Sequence, residues 1–406
     1  MAVFVTDGDQ RSTLAVVRSL GRAGVPVTVG EAASRSLAGS SRYCAKSVRY
    51  PSPLEDPESF VSFLRQELSG GEYDLFIPMT DITVQLVAAA RESLPPNVIV
   101  PSPSRERTEL VQDKSRILSL AKELGIPCPE TFVLGDGETI ESLAPKLRYP
   151  VVIKPRLSRR LHEGKWAIGT VQYAEDAASL VGKYRRIHDS NPYPMIQEKL
   201  EGEGLGVFLL IWDGEIKAAF CHRRLREKPP WGGVSVCSES LPPDEKLIRQ
   251  SAALMKAVGW HGVAMVEYKL DKRDGLAKLM EINGRFWGSL QLAIDSGVDF
   301  PWLLYQCAKG VPIPLQPQYK VGVRSRWLLG DLDHLIIRLT RSRSPDGAPL
   351  SPPSRWKAMW NFMRLYERNT HHEVLRLSDP RPAWHEFRTY LRETWRGLRS
   401  RPGRVR

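Results

Sequence analysis

The chain has 406 residues, of which 42% are hydrophobic and 26% charged, a composition typical of globular proteins with two or three domains. No apolar run approaches the roughly 18 residues that a membrane-spanning helix needs. The N-terminus "MAVFVTDGDQ" lacks the basic start and the small-residue cleavage site of a signal peptide. The five cysteines are scattered and form no CxxC pair, which argues against a disulfide scaffold or zinc site and favours a reducing cytoplasm.

Half of the formal net charge of +12 comes from the C-terminus, where residues 381–406 contain eight Arg and two Glu. Contact with an anionic partner, such as a membrane surface, a nucleic acid or an acidic polymer, would account for this excess. A solvated terminal segment without a partner explains the same composition, because basic tails are common.

In chain order, strand and helix patterns alternate through residues 1–105. Apolar runs such as "AVFV" and "VPVTV" predict buried strands, and between them Leu14, Val17 and Leu20 recur at helical spacing. The alternation predicts an open parallel α/β domain. Gly8 follows the first strand, but without a GxGxxG pattern the sequence does not support a dinucleotide-binding fingerprint.

The middle of the chain, 106–315, mixes helices with antiparallel hairpins and predicts an α+β arrangement. One helix is predicted ahead of "GIPCPET", followed by the strand "YPVVIKP". Successive strands are predicted around a hairpin turn at 212–215, and the Pro- and Gly-rich residues 226–240 predict a loop. From 316 to 406 the pattern becomes a basic, partly helical extension, with a helix at 324–339, a Ser/Pro/Arg linker at 340–356 and aromatic, basic helices at 356–367 and 382–398.

A group of polar residues stands in and just after two apolar strands. Glu281, Asn283 and Arg285 occupy alternate positions and should project from one face, while Glu267 lies in the preceding strand. If the strands pair, two carboxylates and an amide come together, a suitable ligand set for Mg²⁺ that also holds phosphates. An ordinary hairpin with salt bridges is the alternative, but an apolar strand is an unusual place for such a group. Lys154, within "VVIKP", would need an anionic partner if buried.

Two further segments are candidates for binding. The strand "MIQEKLEGEG" ends in a turn whose backbone could contact an adenine, with Glu198 or Glu203 accepting ribose hydroxyls; an ordinary strand exit looks the same. Arg223, Arg224 and Arg226 precede a Gly-Gly turn and could bind a carboxylate substrate, or could form an exposed basic loop.

The order of these motifs resembles the ATP-grasp superfamily, in particular the carboxylate–amine ligases related to carbamoyl-phosphate synthase and biotin carboxylase. Lys114 precedes "GIPCPET", followed by "YPVVIKP", "IQEKLEG", "GVAMVEYK" and "LMEINGRFWGS". The resemblance implies a pre-ATP-grasp domain over 1–105 and an ATP-grasp domain over 106–315. The latter would have a small lobe at about 115–200 and a large lobe at about 200–315, and the extension 316–406 lies outside the resemblance.

The resemblance also implies roles for individual residues. Lys114 and Lys154 match the lysines that contact ATP phosphates. Glu198, Lys199 and Leu200 match the segment at the adenine, and Glu203 falls near the ribose-binding acid. Glu267, Glu281 and Asn283 match the ligands of Mg²⁺ (or Mn²⁺), and Arg285 matches the arginine that stabilises the phosphorylated intermediate. One departure is the loop at 156–170, which has arginines, a histidine and a tryptophan where many relatives have a glycine-rich flap.

The implied activity is a cytoplasmic, ATP-dependent ligase that forms an acyl phosphate from a carboxylate and then an amide with an amine. Its partners would be these small molecules rather than nucleic acid, and the resemblance allows for a homodimer. Two alternatives are an ATP-grasp kinase acting on a small molecule and a non-catalytic ATP-binding protein that docks on an anionic surface. For the C-terminal extension, a helical cap on the core and a contact with acidic lipid headgroups both fit.

Overall fold

The computed structural model describes residues 1–399, except 136, 163, 314–317, 345–349, 351–352 and 365–366. Parts of the predicted linker at 340–356 and of the predicted helix at 356–367, and the basic end of the chain from 400 to 406, therefore lie outside the described residues.

The strands are β1 Val3–Val5, β2 Val27–Glu31, β3 Lys46–Arg49, β4 Leu75–Ile77, β5 Thr131–Phe132, β6 Val151–Lys154, β7 Arg159–His162, β8 Lys165–Ile168, β9 Gln172–Ala174, β10 Met195–Glu198, β11 Gly202–Trp212, β12 Glu215–Lys228, β13 Val234–Ser240, β14 Gly262–Asp271, β15 Ala277–Asn283, β16 Arg324–Arg326 and β17 Thr370–His372. The helices are α1 Arg11–Arg22, α2 Pro57–Ser69, α3 Asp81–Ala90, α4 Arg105–Gln112, α5 Lys114–Glu123, α6 Ile140–Leu143, α7 Ala177–Ser190, α8 Glu245–Val258, α9 Leu290–Ser296, α10 Phe300–Ala308, α11 Leu328–Thr340, α12 Arg355–Met363 and α13 Arg381–Arg399.

The N-terminal strands form a parallel sheet in the order β3-β2-β1-β4, which confirms the predicted parallel α/β arrangement. The short apolar strands β1, β2 and β4 are buried because helices connect them and cover the sheet. The edge strand β3 escaped prediction, since its residues are polar and mostly exposed. Strands β1 and β4 end at Val5 and Ile77, so the turns that follow them lie at one edge of the sheet.

The predicted single helix ahead of "GIPCPET" is wrong, because the structure has two helices, α4 and α5, with a break at Asp113. The Asp113 carboxylate accepts hydrogen bonds from the backbone N–H groups of Ser115 and Arg116 and so caps α5. Lys114 is therefore the first residue of a helix, directly after the cap.

A second, small sheet has the order β5-β10-β6-β9 and packs against α7 through an apolar cluster of its own. The departure from the family pattern at 156–170 forms an antiparallel hairpin, β7–β8. Its Trp166 indole donates to the Pro53 carbonyl at 2.9 Å, and Gln85 donates to the Arg159 carbonyl at 3.3 Å. The hairpin is thereby attached to the N-terminal segment.

The largest sheet among the described residues has the order β15-β14-β11-β12-β13-β16-β17. The predicted turn between β11 and β12 is confirmed, with Trp212 opposite Glu215. The predicted loop over 226–240 is wrong, because β12 continues to Lys228, and Val234–Ser240 form β13. Only the Pro- and Gly-rich residues 229–233 form the connection between β12 and β13. The residues on either side of it are strands because β13 forms hydrogen bonds with β12 and with β16.

The C-terminal extension is built into this body. Strands β16 and β17 pair with each other and extend the large sheet beyond β13, so "RSR" at 324–326 begins as a strand and α11 starts only at Leu328. Arg18 of α1 is buried and donates to Asp379 at 2.9 Å. One apolar cluster joins α1 and the N-terminal sheet to one face of the large sheet and to α9 and α10. None of the described helices combines the length and apolar character needed to cross a membrane.

Candidate active site

The β14–β15 hairpin brings together the polar residues singled out in the sequence. Glu267 lies directly opposite Glu281, and Met265 lies opposite Asn283. Ile282, between them in the chain, points to the other face and packs in a buried apolar cluster. The Asn283 amide lies 3.5 Å from the Glu281 carboxylate. The alternation in sequence thus becomes one polar face, as a strand period of two requires.

Lysines neutralise part of this charge. The Lys114 ammonium lies 3.3 Å from the Glu281 carboxylate and donates to Ser158 Oγ at 2.6 Å. Lys154 donates to Gln197 Oε1 at 2.8 Å, and burial lowers the pKa of Lys154 to about 8. At neutral pH Lys154 is therefore still mostly an ammonium group, held beside carboxylates but without an ion pair of its own among the described residues.

The two carboxylates differ in proton affinity. Burial, together with the neighbouring Glu281, raises the pKa of Glu267, although Arg224 opposes this effect. Burial acts to raise the pKa of Glu281 as well, but Lys114 and Lys154 outweigh it and hold this pKa below its ordinary value. Two like charges at opposed positions of neighbouring strands repel, and the surrounding cations make the arrangement tolerable.

Arg285 is held by a residue that the sequence interpretation missed. Its guanidinium makes a two-point ion pair with Asp81, with both N–O distances 2.8 Å, and also donates to the Asn283 side chain at 3.3 Å. Asp81 is the first residue of α3 and follows strand β4. Polar residues after a strand of a parallel sheet lie at its carboxyl-end edge, where α/β proteins bind ligands. The position of Asp81 at the end of "IPMTD", just after a predicted strand, could have identified it as a site residue from the sequence.

The residues expected at the adenine lie at the exit of β10. The Glu198 carboxylate accepts from the Glu130 backbone N–H at 3.0 Å and pairs with Arg273 at 2.6 Å and Lys278 at 3.4 Å. Lys199 lies over the ring of Tyr173 at 5.6 Å.

The next two residues of this segment differ in burial. Leu200 is buried, whereas Glu203 is partly exposed and lies 3.7 Å from Arg223. The segment from Glu198 to Leu200 is thus held by side-chain contacts as well as by the pairing of β10 with β6.

The three arginines of β12 do not share one environment. Arg224 pairs with Glu267 at 2.5 Å and therefore belongs to the polar face. Arg223 pairs with Glu239 at 2.5 Å, and Arg226 makes a two-point ion pair with Asp331 of α11, at 2.7 and 2.9 Å. The structure brings only Arg224 into contact with the carboxylates of β14 and β15.

Two more residues beside this group were missed in the sequence. His222 is buried, and neither of its ring nitrogens has a hydrogen-bond partner among the described residues. Its ring leans over Gly206, where an added Cβ would come within 2.9 Å of Nε2. Gly206 lies between His222 and Glu267 in the ladder. Burial and the charge of Arg224 lower the pKa of His222 well below 6.5, so the ring stays neutral.

The second missed residue is Trp287. Its buried indole Nε1 also lacks a hydrogen-bond partner in the described part of the chain, as does Nε of Arg224. The Phe208 ring connects the two aromatic residues, with centroids 4.3 Å from Trp287 and 4.6 Å from His222. Unpartnered buried polar groups are costly and rare in native proteins, so a cluster of them indicates a binding position.

The donor set fits a divalent cation held jointly with phosphates. Among the described residues there is no group of three or more His, Cys, Asp or Glu side chains that could hold a metal ion. The site instead offers Glu267, Glu281 and the Asn283 amide oxygen. Mg²⁺ is commonly bound by one or two carboxylates, with phosphates and water as further ligands, so the residues present suit that ion.

A small cleft lies between the N-terminal segment, the β7–β8 hairpin and strand β15. It is lined from the N-terminal segment, from α5, from the start of the β7–β8 hairpin and from β15, including Asp81, Gln85, Lys114, Ser158, Arg159 and Glu281. The polar face therefore opens between the parallel sheet and the hairpin that covers it.

Comparisons with known proteins identify the fold of the chain. Residues 190–330 match the sequence model of a family described as ATP-grasp in the biosynthetic pathway with Ter operon. The structure of the L-amino acid ligase from Bacillus licheniformis is similar, with a TM-score of 0.60, 20% identity, and coverage of 76% of this chain and 74% of that chain. No curated protein matches the sequence.

Two other solved structures share the architecture. The biotin carboxylase–β,γ-ATP complex from Campylobacter jejuni gives a TM-score of 0.64 at 18% identity, covering 79% of this chain and 74% of that chain. The N5-carboxyaminoimidazole synthetase from Staphylococcus aureus complexed with ADP gives a TM-score of 0.64 at 13% identity, covering 89% of this chain and 97% of that chain. The chain therefore has the fold of the ATP-grasp superfamily, whose sequence pattern its residues 190–330 also match.

Proposed function

We propose that the chain is an ATP-dependent ligase that converts a carboxylate into an acyl phosphate and joins it to an amine, releasing ADP and phosphate. The observation that carries the proposal is the single polar face of β14 and β15. There Glu267, Glu281 and Asn283 lie together, with Lys114 3.3 Å from Glu281. Such a face suits the polyphosphate of a nucleotide and the cation that accompanies it.

The proposed reaction has two steps. A carboxylate oxygen of the substrate attacks the γ-phosphorus of ATP, the bond to the bridging oxygen breaks, and ADP leaves. The amine nitrogen then attacks the acyl carbon, the carbon–oxygen bond to phosphate breaks, and the nitrogen loses a proton as the amide forms. Both steps build negative charge on oxygens, which fixed cations stabilise without reorganisation.

Each group of the site has a role in this scheme. Glu267, Glu281 and Asn283 would hold Mg²⁺ or Mn²⁺, which would neutralise charge on the phosphates and align them. Lys114 and Lys154 would contact phosphate oxygens. Further residues would bind the nucleoside. The segment of Glu198, Lys199 and Leu200 would contact the adenine, and Glu203 would contact the ribose.

Arg285 is the proposed contact to the transferring phosphoryl group. Its two-point pair with Asp81 fixes the guanidinium plane, since both carboxylate oxygens are 2.8 Å from it. A guanidinium held in this way is positioned before the charge develops, and little reorganisation is needed in the transition state.

The substrate carboxylate is proposed to bind next to Glu267. Arg224 Nε and Trp287 Nε1 are buried donors that have no hydrogen-bond partner among the described residues, and His222 offers either a donor or an acceptor. A carboxylate would satisfy the two donors, and these unpaired groups would reject ligands that lack acceptor oxygens. Arg223 and Arg226 are not needed, because Glu239 and Asp331 already hold them.

The remaining expectations stay part of the proposal. All five cysteines are free thiols, which supports a reducing compartment such as the cytoplasm. The division at about 105 and 315, and a homodimer, are proposed on the family resemblance.

The test is release of ADP and phosphate with Mg·ATP against panels of carboxylates and amines, with products identified by mass spectrometry. A specific pair should stimulate turnover and yield an amide. Glu281→Gln should abolish the stimulation, while Glu215→Gln, an exposed glutamate at a hairpin turn, should not. A phosphorylated alcohol as product would instead indicate a kinase, and stimulation unaffected by Glu281→Gln would overturn the assigned site.

A further inference from the structure

Helix α13 is attached to the body of the protein by a polar face. Glu386 accepts a hydrogen bond from the Trp327 indole at 2.7 Å, and the Tyr390 hydroxyl donates to Asp333 of α11 at 2.6 Å. Pro382 is buried and Ala383 packs against the main apolar cluster. These contacts fix which side of the helix faces the protein.

The opposite side of α13 carries an apolar stripe that faces solvent. Trp384, Phe387, Leu391 and Trp395 are exposed by 62%, 43%, 46% and 62%. Their spacing of three and four residues places them in one row along the helix. A surface helix of a soluble protein normally buries such a row against the core, so α13 has the reverse orientation.

A second helix of the C-terminal extension shows the same feature. On α12, Trp356, Trp360 and Met363 are strongly exposed and also spaced by four and three residues. Helix α12 packs on α11, which itself exposes Ile336 and Leu339. Exposed apolar side chains scattered singly are common, but rows on adjacent helices mark an interaction surface.

The charges beside the α13 stripe identify its partner. Arg381, Arg388 and Arg392 are exposed, and at 100° per residue all three lie along one border of the stripe. The acidic residues Glu386 and Glu393 fall on the opposite side of the helix. Tryptophan rows bordered by arginine suit the interface of a membrane with anionic headgroups.

We propose that the α13 stripe docks peripherally on the surface of an anionic lipid bilayer. The aromatic side chains would enter the headgroup region while the arginines contact lipid phosphates. A second copy of the chain fits the stripe less well, because pairing two α13 helices would bring two arginine rows together. This binding is independent of the proposed ligase activity, since none of its residues lies in the candidate active site.

The experiment is co-sedimentation of the full chain with vesicles of phosphatidylcholine, with and without about one quarter phosphatidylglycerol. The chain should bind the anionic vesicles at low salt and dissociate at high salt. Trp384→Ser with Trp395→Ser should abolish binding, and Arg388→Gln with Arg392→Gln should weaken it about tenfold or more. Arg105→Gln with Arg249→Gln, two exposed arginines on other helices, should leave binding unchanged.

Several outcomes would overturn the proposal. Equal binding to neutral vesicles, or no binding to either kind, would exclude an anionic lipid partner. A concentration-dependent dimer that the tryptophan variant loses, seen by sedimentation velocity without vesicle binding, would assign the stripe to a second copy. Circular dichroism of each variant establishes that a loss of binding is not a loss of fold.

Discussion

Two regions of the molecule reverse the usual distribution of polar and apolar residues, and they do so in opposite ways. At the β14–β15 hairpin, Glu267 and Glu281 lie opposed on a largely covered face, surrounded by cations. Along α13, the side chains of Trp384 and Leu391 are exposed to solvent by 62% and 46%. Both arrangements are unusual for a folded protein, and each is the basis of a binding site proposed above.

The two regions differ in how the unfavourable state is tolerated. In the hairpin, Arg224 pairs with Glu267 and Lys114 lies beside Glu281, so each carboxylate depends on a cation from another element and the region should be sensitive to single changes. On α13 the exposed row does not need a stabilising contact within the protein. Leaving apolar side chains exposed only forgoes the stabilising free energy that their burial would provide. Changes in the first region should therefore alter catalysis strongly, and changes in the second should alter only association.

The largest effect is expected for Glu281→Gln. It should lower kcat by about two to three orders of magnitude, since one charged oxygen ligand beside the phosphates is lost. The free energy of unfolding should fall by no more than about 1 kcal/mol, because the loss of the ion pair with Lys114 is partly offset by the removal of the repulsion with Glu267. Steady-state turnover and urea unfolding measure the two quantities. A large loss of stability would mean that the carboxylate is structural.

Next in size is Asp81→Asn, which removes the charge that orients Arg285. We expect kcat to fall by about 10- to 100-fold with the KM for ATP changed by less than about threefold, because Asp81 acts through the arginine. Asp81→Glu should restore part of the activity. If both KM and kcat stay at their original values, Arg285 does not depend on this pair.

A third test concerns the covering hairpin. Trp166→Ala removes the hydrogen bond to Pro53 that attaches β7–β8 to the N-terminal segment. The KM for ATP should rise by about five- to tenfold, since the cover would close less often. Trp356→Ala, an exposed tryptophan on α12, is the control and should leave KM unchanged. An unchanged KM in Trp166→Ala would show that the attachment does not matter for nucleotide binding.

His222→Leu separates stability from function. Because the buried ring stays neutral in the folded state but is protonated in the unfolded state below about pH 6.5, its contribution to stability is present above that pH and is lost as pH falls. The variant should therefore lose less stability than the original chain between pH 7 and 5, by about 1–2 kcal/mol, while the KM for the carboxylate rises. Urea unfolding at both pH values tests this, and identical pH profiles would contradict it.

The smallest effect is expected from Trp384→Ser with Trp395→Ser. Both side chains are exposed, so the free energy of unfolding should change by less than about 0.5 kcal/mol and turnover in solution should not change. Thermal unfolding and the amide-forming assay measure these quantities. A clear destabilisation would mean that the stripe packs against the protein after all, which would remove the contrast with the hairpin.

Much of the fold could be predicted because local patterns are strong in this chain. The alternation of apolar strands and helices in the first hundred residues, and the hairpin turn at Trp212–Glu215, are visible in short windows. The face shared by Glu281 and Asn283 follows from the period of a strand alone. The break at Asp113 was missed because the residues on both sides favour helix, and only the capping geometry reveals it.

The errors lie where pairing over long distances decides the structure. Val234–Ser240 looked like a loop beside Pro and Gly, but hydrogen bonds from β12 and from β16, nearly ninety positions away, make it a strand. The arginines of β12 looked equivalent in sequence. Their ion pairs with Glu239, Glu267 and Asp331 separate them, and those acids come from three different elements.

By itself, the sequence determined the types of element, the acid–amide–arginine alternation of the candidate site and the basic character of the C-terminus, because these depend on residues close together in the chain. The tertiary structure alone decided that Asp81 holds Arg285, that the buried His222 ring has no hydrogen-bond partner in the described part of the chain, and that α13 turns its aromatic row outward. Each of these depends on contacts between distant segments, and no local pattern records which neighbours a folded chain will bring together.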